Sequence, residues 1–234
     1  MTPAADIARV EESLRRRFRV AETSIPLGET TVTFLHPASS EELINEEDFL
    51  HDERLPYWAE PWPSSFAMAR NLVSSDSVLG AGDGRSALEL GCGAGLVAIA
   101  ATMAGFVVTA SDYYEDALRF ARVNVWRSTH QRIEVMHLDW RALPELLPRY
   151  DVVIASDVLY ERPYAPLVAA VIARTLAPGG VALIADPGRL AAPAFVECCA
   201  PLGLAIEKKR RLPFEEGAVR QTIDLYEICW AARG

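Results

Sequence analysis

Two periods of apolar and polar positions run along this chain, and the switches between them mark out its elements. Leu88-Glu89-Leu90 is apolar with alternation; the chain then turns on Gly91, Gly93 and Gly95 and continues as an apolar, Ala-rich stretch from Leu96. Alternation, a glycine turn and an unbroken apolar run predict strand, tight turn and helix. That helix is expected to reach about Ala104 and to stop at Gly105. Residues 106–110 form a second strand, almost wholly apolar, as a strand buried on both faces is. A helix starting near Tyr114 follows, with Ala117, Leu118, Ala121, Val123 and Val125 on its apolar face. Further strands are predicted over 133–138, 152–155 and 181–185. Helices are predicted over 165–176, stopped by Pro178-Gly179-Gly180, and near 191–202. Strands over 205–212 and 222–230 close the chain, with 214–219 as a loop between them. Strand and helix alternating five times predict an α/β fold with a Rossmann-like, mostly parallel seven-stranded sheet, helices on both faces and an antiparallel closing hairpin.

The first 55 residues stand outside this alternation. Val10, Leu14 and Phe18 fall at helical spacing in the charged stretch 10–20, which predicts a short, partly exposed helix. Residues 24–35 read as a β-hairpin turning at Gly28. Residues 41–54 are acidic and helical or irregular. The division is an N-terminal extension over 1–55 and a main domain over 56–234. At the junction, Pro56, Pro61 and Pro63 keep the chain extended, and Ser64 or Ser65 caps a helix over 66–73. Trp58 and Trp62 either plug a core seam or, for Trp62, close over a flat or cationic ligand.

Composition narrows the partners. The 234 residues carry a formal net charge of −9, against the basic face that nucleic-acid phosphates require. No apolar run reaches the roughly 20 residues of a membrane span, and residues 1–20 lack the apolar run of a signal peptide. Cys92, Cys198, Cys199 and Cys229 make no C-x-x-C pair, which points to reduced thiols and a cytoplasmic protein. The histidines show no metal-ligand spacing, and a monomer is expected.

Candidate chemistry gathers at the predicted carboxyl ends of the strands, where open α/β sheets bind ligands. The glycine turn offers bare backbone and a helix N-terminus, a device shared by dinucleotide and S-adenosylmethionine sites. The dinucleotide pattern puts its third small residue at position 96, which is Leu; here the spacing is G-x-G-x-G. Asp112, about twenty residues past the turn, either receives ribose hydroxyls or caps the next helix. Asp139 and Trp140 either border a base or cap and pack, and Asp157 and Tyr160 either face an acceptor or close a turn.

Taken together, Trp62, the glycine turn, Asp112, Asp139-Trp140 and Asp157-Val158-Leu159-Tyr160 resemble a seven-strand, class I S-adenosylmethionine-dependent methyltransferase over residues 57–230. Within that class the chain is similar to the protein-lysine methyltransferases with a D-x-x-Y signature, methyltransferase family 16. The resemblance implies S-adenosyl-L-methionine as cofactor. It implies cofactor-binding positions at Trp62, Glu89, Gly91, Cys92, Gly93, Gly95, Asp112, Tyr113, Asp139, Trp140 and Ser156. It implies that Asp157 and Tyr160 are catalytic and face a lysine of a protein substrate, with Ser156 where family members often carry alanine. No Asn-Pro-Pro-Tyr follows the fourth strand, which sets aside adenine and glutamine-amide methylation. Three other readings stay open: N- or O-methylation of a small metabolite, a non-catalytic cofactor-fold binding protein, and a dinucleotide oxidoreductase, the last opposed by Leu96.

Overall fold

A computed structural model describes residues 2–43 and 56–232. The chain opens with α1 (Pro3–Arg17), where Thr2 Oγ1 accepts the Ala5 N–H, Pro3 sits in the first turn and three arginines fill the last. This helix begins seven residues before the expected 10–20, because Ile7 shares the buried stripe of Leu14 and extends the apolar face backwards. A hairpin of β1 (Val20–Leu27) and β2 (Thr30–Pro37) follows, turning at Gly28 (φ 60°) with Leu27 opposite Thr30. Glu41–Leu43 make a single 3₁₀ turn. Most of the acidic stretch expected over 41–54 lies outside the described residues.

Helix α2 (Pro63–Leu72) corrects the expected capping. Trp62 is its N-cap, and Pro63, with φ already set, is the first helical residue. Ser65 Oγ donates back to the Trp62 carbonyl at 2.7 Å, and Ser64 is buried inside the first turn, so neither serine is the cap.

The main sheet then builds as β3 (Ser86–Leu90), α3 (Leu96–Met103), β4 (Val107–Asp112), α4 (Glu115–Thr129), β5 (Glu134–His137), β6 (Tyr150–Ser156), α5 (Tyr164–Thr175), β7 (Leu176–Asp186), α6 (Ala192–Cys199), β8 (Leu204–Glu216) and β9 (Val219–Trp230). Its strand order is β5-β4-β3-β6-β7-β9-β8, parallel from β5 to β7, with β9 antiparallel to both its neighbours. The strict alternation fails once: residues 138–149, between β5 and β6, carry no helix, and Pro144 and Pro148 interrupt the stretch. Three further boundaries move. Helix α5 stops at Thr175, before Pro178, and β7 takes up residues 176–180. Helix α6 ends at Cys199, and residues 200–202 form a 3₁₀ turn. The expected loop over 214–219 is strand, because Phe214 is buried against Phe66 and a two-residue turn at Gly217 (φ 56°) suffices.

Strand pleat divides the core. Leu88 and Leu90 enter the layer beneath α5 and α6, while Ala87 enters the layer beneath α2, α3 and α4. The second layer also takes Ile7 and Leu14 from α1 and Ile25, Val32 and Phe34 from the hairpin. Ion pairs Arg122–Asp6, Arg17–Asp116 and Arg127–Glu22 line the seam between these N-terminal elements and α4.

Candidate active site

β3 lies where the chain reverses its direction of travel across the sheet, with β4 on one side and β6 on the other. Connections leaving those strands diverge there and open a crevice at their carboxyl ends. A cavity of about 490 Å³ occupies it, within the range of about 300–1,000 Å³ typical of ligand sites.

The glycine turn forms its floor. Gly91, Gly93 and Gly95 all have positive φ (65°, 52° and 94°), a backbone region that side chains disfavour. A Cβ at Gly93 would stand 3.0 Å from the Trp58 carbonyl, and one at Gly95 2.7 Å from Ala121 Cα. The first glycine pair therefore keeps the floor bare, while Gly95 lets α3 pack tightly on α4.

Asp112, at the end of β4, ties the floor to the next helix. Its Oδ2 accepts the Gly93 N–H and its Oδ1 the Tyr114 N–H, each at 2.9 Å. Asp112 lines the cavity, and its bond to Tyr114, the N-cap residue of α4, steadies the approach to that helix without capping it. Burial raises its pKa, opposed by the amides of Tyr114, Gly93 and Tyr113 and by His137. Burial raises the Glu89 carboxyl much further, helped by the Asp112 charge. Cys92 is likewise pushed well up by burial, then by Asp112 and Glu89, so it remains a thiol and no nucleophile.

Trp140 stands beside Gly91 and lines the cavity, and its buried indole N–H has no hydrogen-bond partner among the described residues. Arg141 takes the neighbouring Asp139 carboxylate through Nε and Nη2. Tyr113 lies under the Arg141 guanidinium, 5.6 Å from its ring centroid.

The other end of the cavity is aromatic and acidic. Tyr160 packs on Tyr164 at 4.6 Å and edge-on to Tyr57 at 5.5 Å. Trp62 donates its indole N–H to the Tyr57 carbonyl and meets the Tyr57 ring at 5.7 Å. Asp157 enters this corner in a left-handed backbone conformation (φ 57°), its N–H held by the Ala185 carbonyl at 2.9 Å. Arg189 Nε donates to Asp157 Oδ1 at 2.8 Å, while Oδ2 is buried without a partner.

The sequence-derived positions converge on this one cavity. Trp62, Gly91, Cys92, Gly93, Gly95, Asp112, Tyr113, Asp139, Trp140, Ser156, Asp157 and Tyr160 all line it. Glu89 does not: pleat directs it with Ala87 toward α3, 3% exposed beneath the turn. Sequence reasoning missed Tyr57, Tyr114, Tyr164 and Arg189. Tyr57, Tyr114 and Tyr164 each lie within five residues of a named position (Trp62, Tyr113 and Tyr160), whereas Arg189 arrives from a separate segment.

The cavity brings together bare glycine backbone, the buried Asp112 carboxylate and the Trp140 ring. Comparison with known proteins places the fold and the family. Among solved structures, the chain is similar in fold to ribosomal protein L11 methylase from Lactobacillus delbrueckii subsp. bulgaricus (TM-score 0.52, 18% identity, 73% of this chain and 77% of that one). It is also similar to magnesium protoporphyrin IX methyltransferase from Synechocystis with bound SAM (TM-score 0.55, 20% identity, 71% and 78%). In sequence it is 31% identical to protein-lysine methyltransferase METTL21E of Bos taurus, over 66% of this chain and 52% of that protein. It is 32% identical to the electron transfer flavoprotein beta subunit lysine methyltransferase of Xenopus laevis, over 57% and 53%. The chain spans about half the length of these curated relatives. A family model described as lysine methyltransferase matches residues 58–192, from Trp58 through the glycine turn and Asp157–Tyr160 to the start of α6. The chain belongs to the lysine methyltransferase family.

Proposed function

We propose that this protein transfers a methyl group from S-adenosylmethionine to a lysine amine of a protein substrate. The observation that carries the reading is the corner at Asp157: a buried, unpartnered carboxylate oxygen within an aromatic wall, on the same cavity as Asp112 and Trp140. The cofactor, when bound, supplies an electrophilic methyl on a cationic sulfur. Asp112 receives ribose hydroxyls, Trp140 borders the adenine, and the bare backbone at Gly91 and Gly93 admits the methionine part. Tyr57, Trp62, Tyr160 and Tyr164 attract the incoming ammonium through their ring faces and exclude water around it. A lysine of ordinary pKa, about 10.4, must first lose a proton to solvent, and a neighbouring positive charge favours that loss. Asp157 Oδ2 accepts one remaining amine N–H and aims the nitrogen lone pair at the methyl.

The setting we infer is a reducing, cytoplasmic one, supported by four cysteines that form no disulfide. The net charge of −9 supports a protein over a nucleic acid as acceptor. The name of the Xenopus laevis relative makes electron transfer flavoprotein beta subunit the first acceptor to try. The test is incubation with methyl-labelled S-adenosylmethionine and either that subunit or a cell extract. Label recovered as methyl-lysine in protein is the expected result. Label confined to small molecules would replace this reading with a metabolite methyltransferase.

A further inference from the structure

Asp186, at the end of β7, is fully buried, and its Oδ1 accepts the amide N–H groups of Gly188 (2.8 Å) and Arg189 (2.7 Å). This turn fixes where the Arg189 side chain begins. The guanidinium then crosses to β6, where Nε meets Asp157 Oδ1 at 2.8 Å and the guanidinium carbon lies 5.4 Å from the Trp62 ring centroid. Arg189 does not line the cavity, whereas Asp157 and Trp62 do, so it reaches both from outside the wall. Its side chain is 34% exposed and that of Asp157 only 5%.

The geometry assigns Arg189 as a positioning residue for methyl transfer: it holds one oxygen of Asp157 from behind and leaves the other as a single fixed acceptor for the substrate amine. A carboxylate on a lone rotatable bond offers an amine two equivalent oxygens. With Oδ1 committed to the guanidinium and the backbone N–H committed to Ala185, only Oδ2 is left, buried and without a partner. The same cation bridges to Trp62 and so sets the indole against the acceptor corner. It also supplies positive charge beside the negative charges of Asp157 and Glu161 on the cavity wall, with Asp186 acting on both Arg189 and Asp157 from behind it, and that balance sets how readily an arriving ammonium gives up its proton.

This assignment rests on the lysine-methylation reading, and the test separates the two. The full chain and its Arg189→Ala and Arg189→Lys variants are compared for S-adenosylmethionine affinity by calorimetry. Methyl transfer from the labelled cofactor into lysines of soluble extract proteins is followed between neutral and alkaline pH. Arg189→Ala is expected to bind cofactor within about twofold of the parent and to lose about 10- to 100-fold in transfer rate at neutral pH. Its rate should rise with pH later than the parent's, since the acceptor ammonium has lost a neighbouring cation. Added methylguanidinium should restore part of the rate, and Arg189→Lys, which keeps the charge without the planar fork, should fall between. A parent-like rate and pH profile in Arg189→Ala overturns the assignment and leaves the lysine-methylation reading standing. So does a loss of rate that neither methylguanidinium nor alkaline pH recovers, or one matched by a loss of cofactor affinity shared by Arg189→Lys. An absence of methyl-lysine from the parent enzyme overturns the functional reading itself.

Discussion

Asn124 Oδ1 accepts the Leu35 amide at 2.8 Å, and Asn124 Nδ2 returns a hydrogen bond to the Leu35 carbonyl at 2.7 Å. A single side-chain amide thereby does for β2 what a neighbouring strand would do. The same Nδ2 donates to the Ala94 carbonyl at 2.8 Å, so the hairpin, α4 and the glycine turn meet at one fully buried residue. Asn124→Ala is expected to leave three buried backbone groups unpaired, at a cost of about 2–4 kcal/mol. Thermal melting should fall by roughly 4–16 °C for a chain of this size. A melting temperature equal to the parent's would show that Leu35 and Ala94 find other partners.

Gly93→Ala is expected to weaken cofactor binding more than it weakens the fold. The new Cβ meets the Trp58 carbonyl at 3.0 Å on a backbone with φ 52°, a strain of about 1–2 kcal/mol on a surface that ligand backbone contacts need bare. Calorimetry with S-adenosylmethionine measures the first effect and urea unfolding the second; equal losses in both would contradict the prediction.

The raised Asp112 pKa predicts two opposite pH trends. In the proposed assignment the carboxylate accepts the cofactor's hydroxyls, so affinity should fall on acidification, starting above the ordinary aspartate range. For stability, a folded-state carboxyl pKa above its unfolded value means the folded chain holds the proton more tightly. The contribution of Asp112, Glu89 and Asp186 is therefore full below their unfolded values and lost as pH rises through the folded ones. Asp112→Asn should flatten the binding trend, as measured by titration across pH 4–8.

Asp157→Ala should abolish methyl transfer while S-adenosylmethionine still binds, because Asp157 stands at the aromatic end of the cavity and Asp112 holds the other. Equilibrium binding and labelled transfer, measured on the same preparation, check it. Normal transfer by the variant would remove Asp157 from the reaction.

Ion pairs along the N-terminal seam should matter less. The seam pairs of Arg127, with Glu22 (3.1 Å) and Glu11 (3.5 Å), are partly exposed, so Arg127→Ala is expected to cost no more than about 1 kcal/mol. Hydrogen bonds from Arg127 and Arg15 lower the Glu22 pKa, so its small contribution is present above the unfolded value and lost as pH falls through the folded one. Urea midpoints at low and high salt measure it, and a loss larger than that of Asn124→Ala would reverse the ranking.

Local chemistry alone determined much of this protein. The run from Leu88 through Gly95, the apolar strands that end at Asp112 and Ser156, and the Gly28 turn are each fixed by residues within a few positions of one another, so periodicity and turn chemistry were sufficient to read them. Strand alternation by itself also placed the polar strand ends on one edge of the sheet. Tertiary structure decided what depends on distant partners. Burial of Phe214 on Phe66 turned an apparent loop into strand, and pleat sent Glu89 under α3, away from the cavity. Asn124 and Arg189 carried no readable signal, since their roles exist only where Leu35, Ala94, Asp157 and Trp62 are brought to them across the chain. A side chain's hydrogen-bond partner is a property of the folded neighbourhood, and one sequence records that neighbourhood only where it is also local.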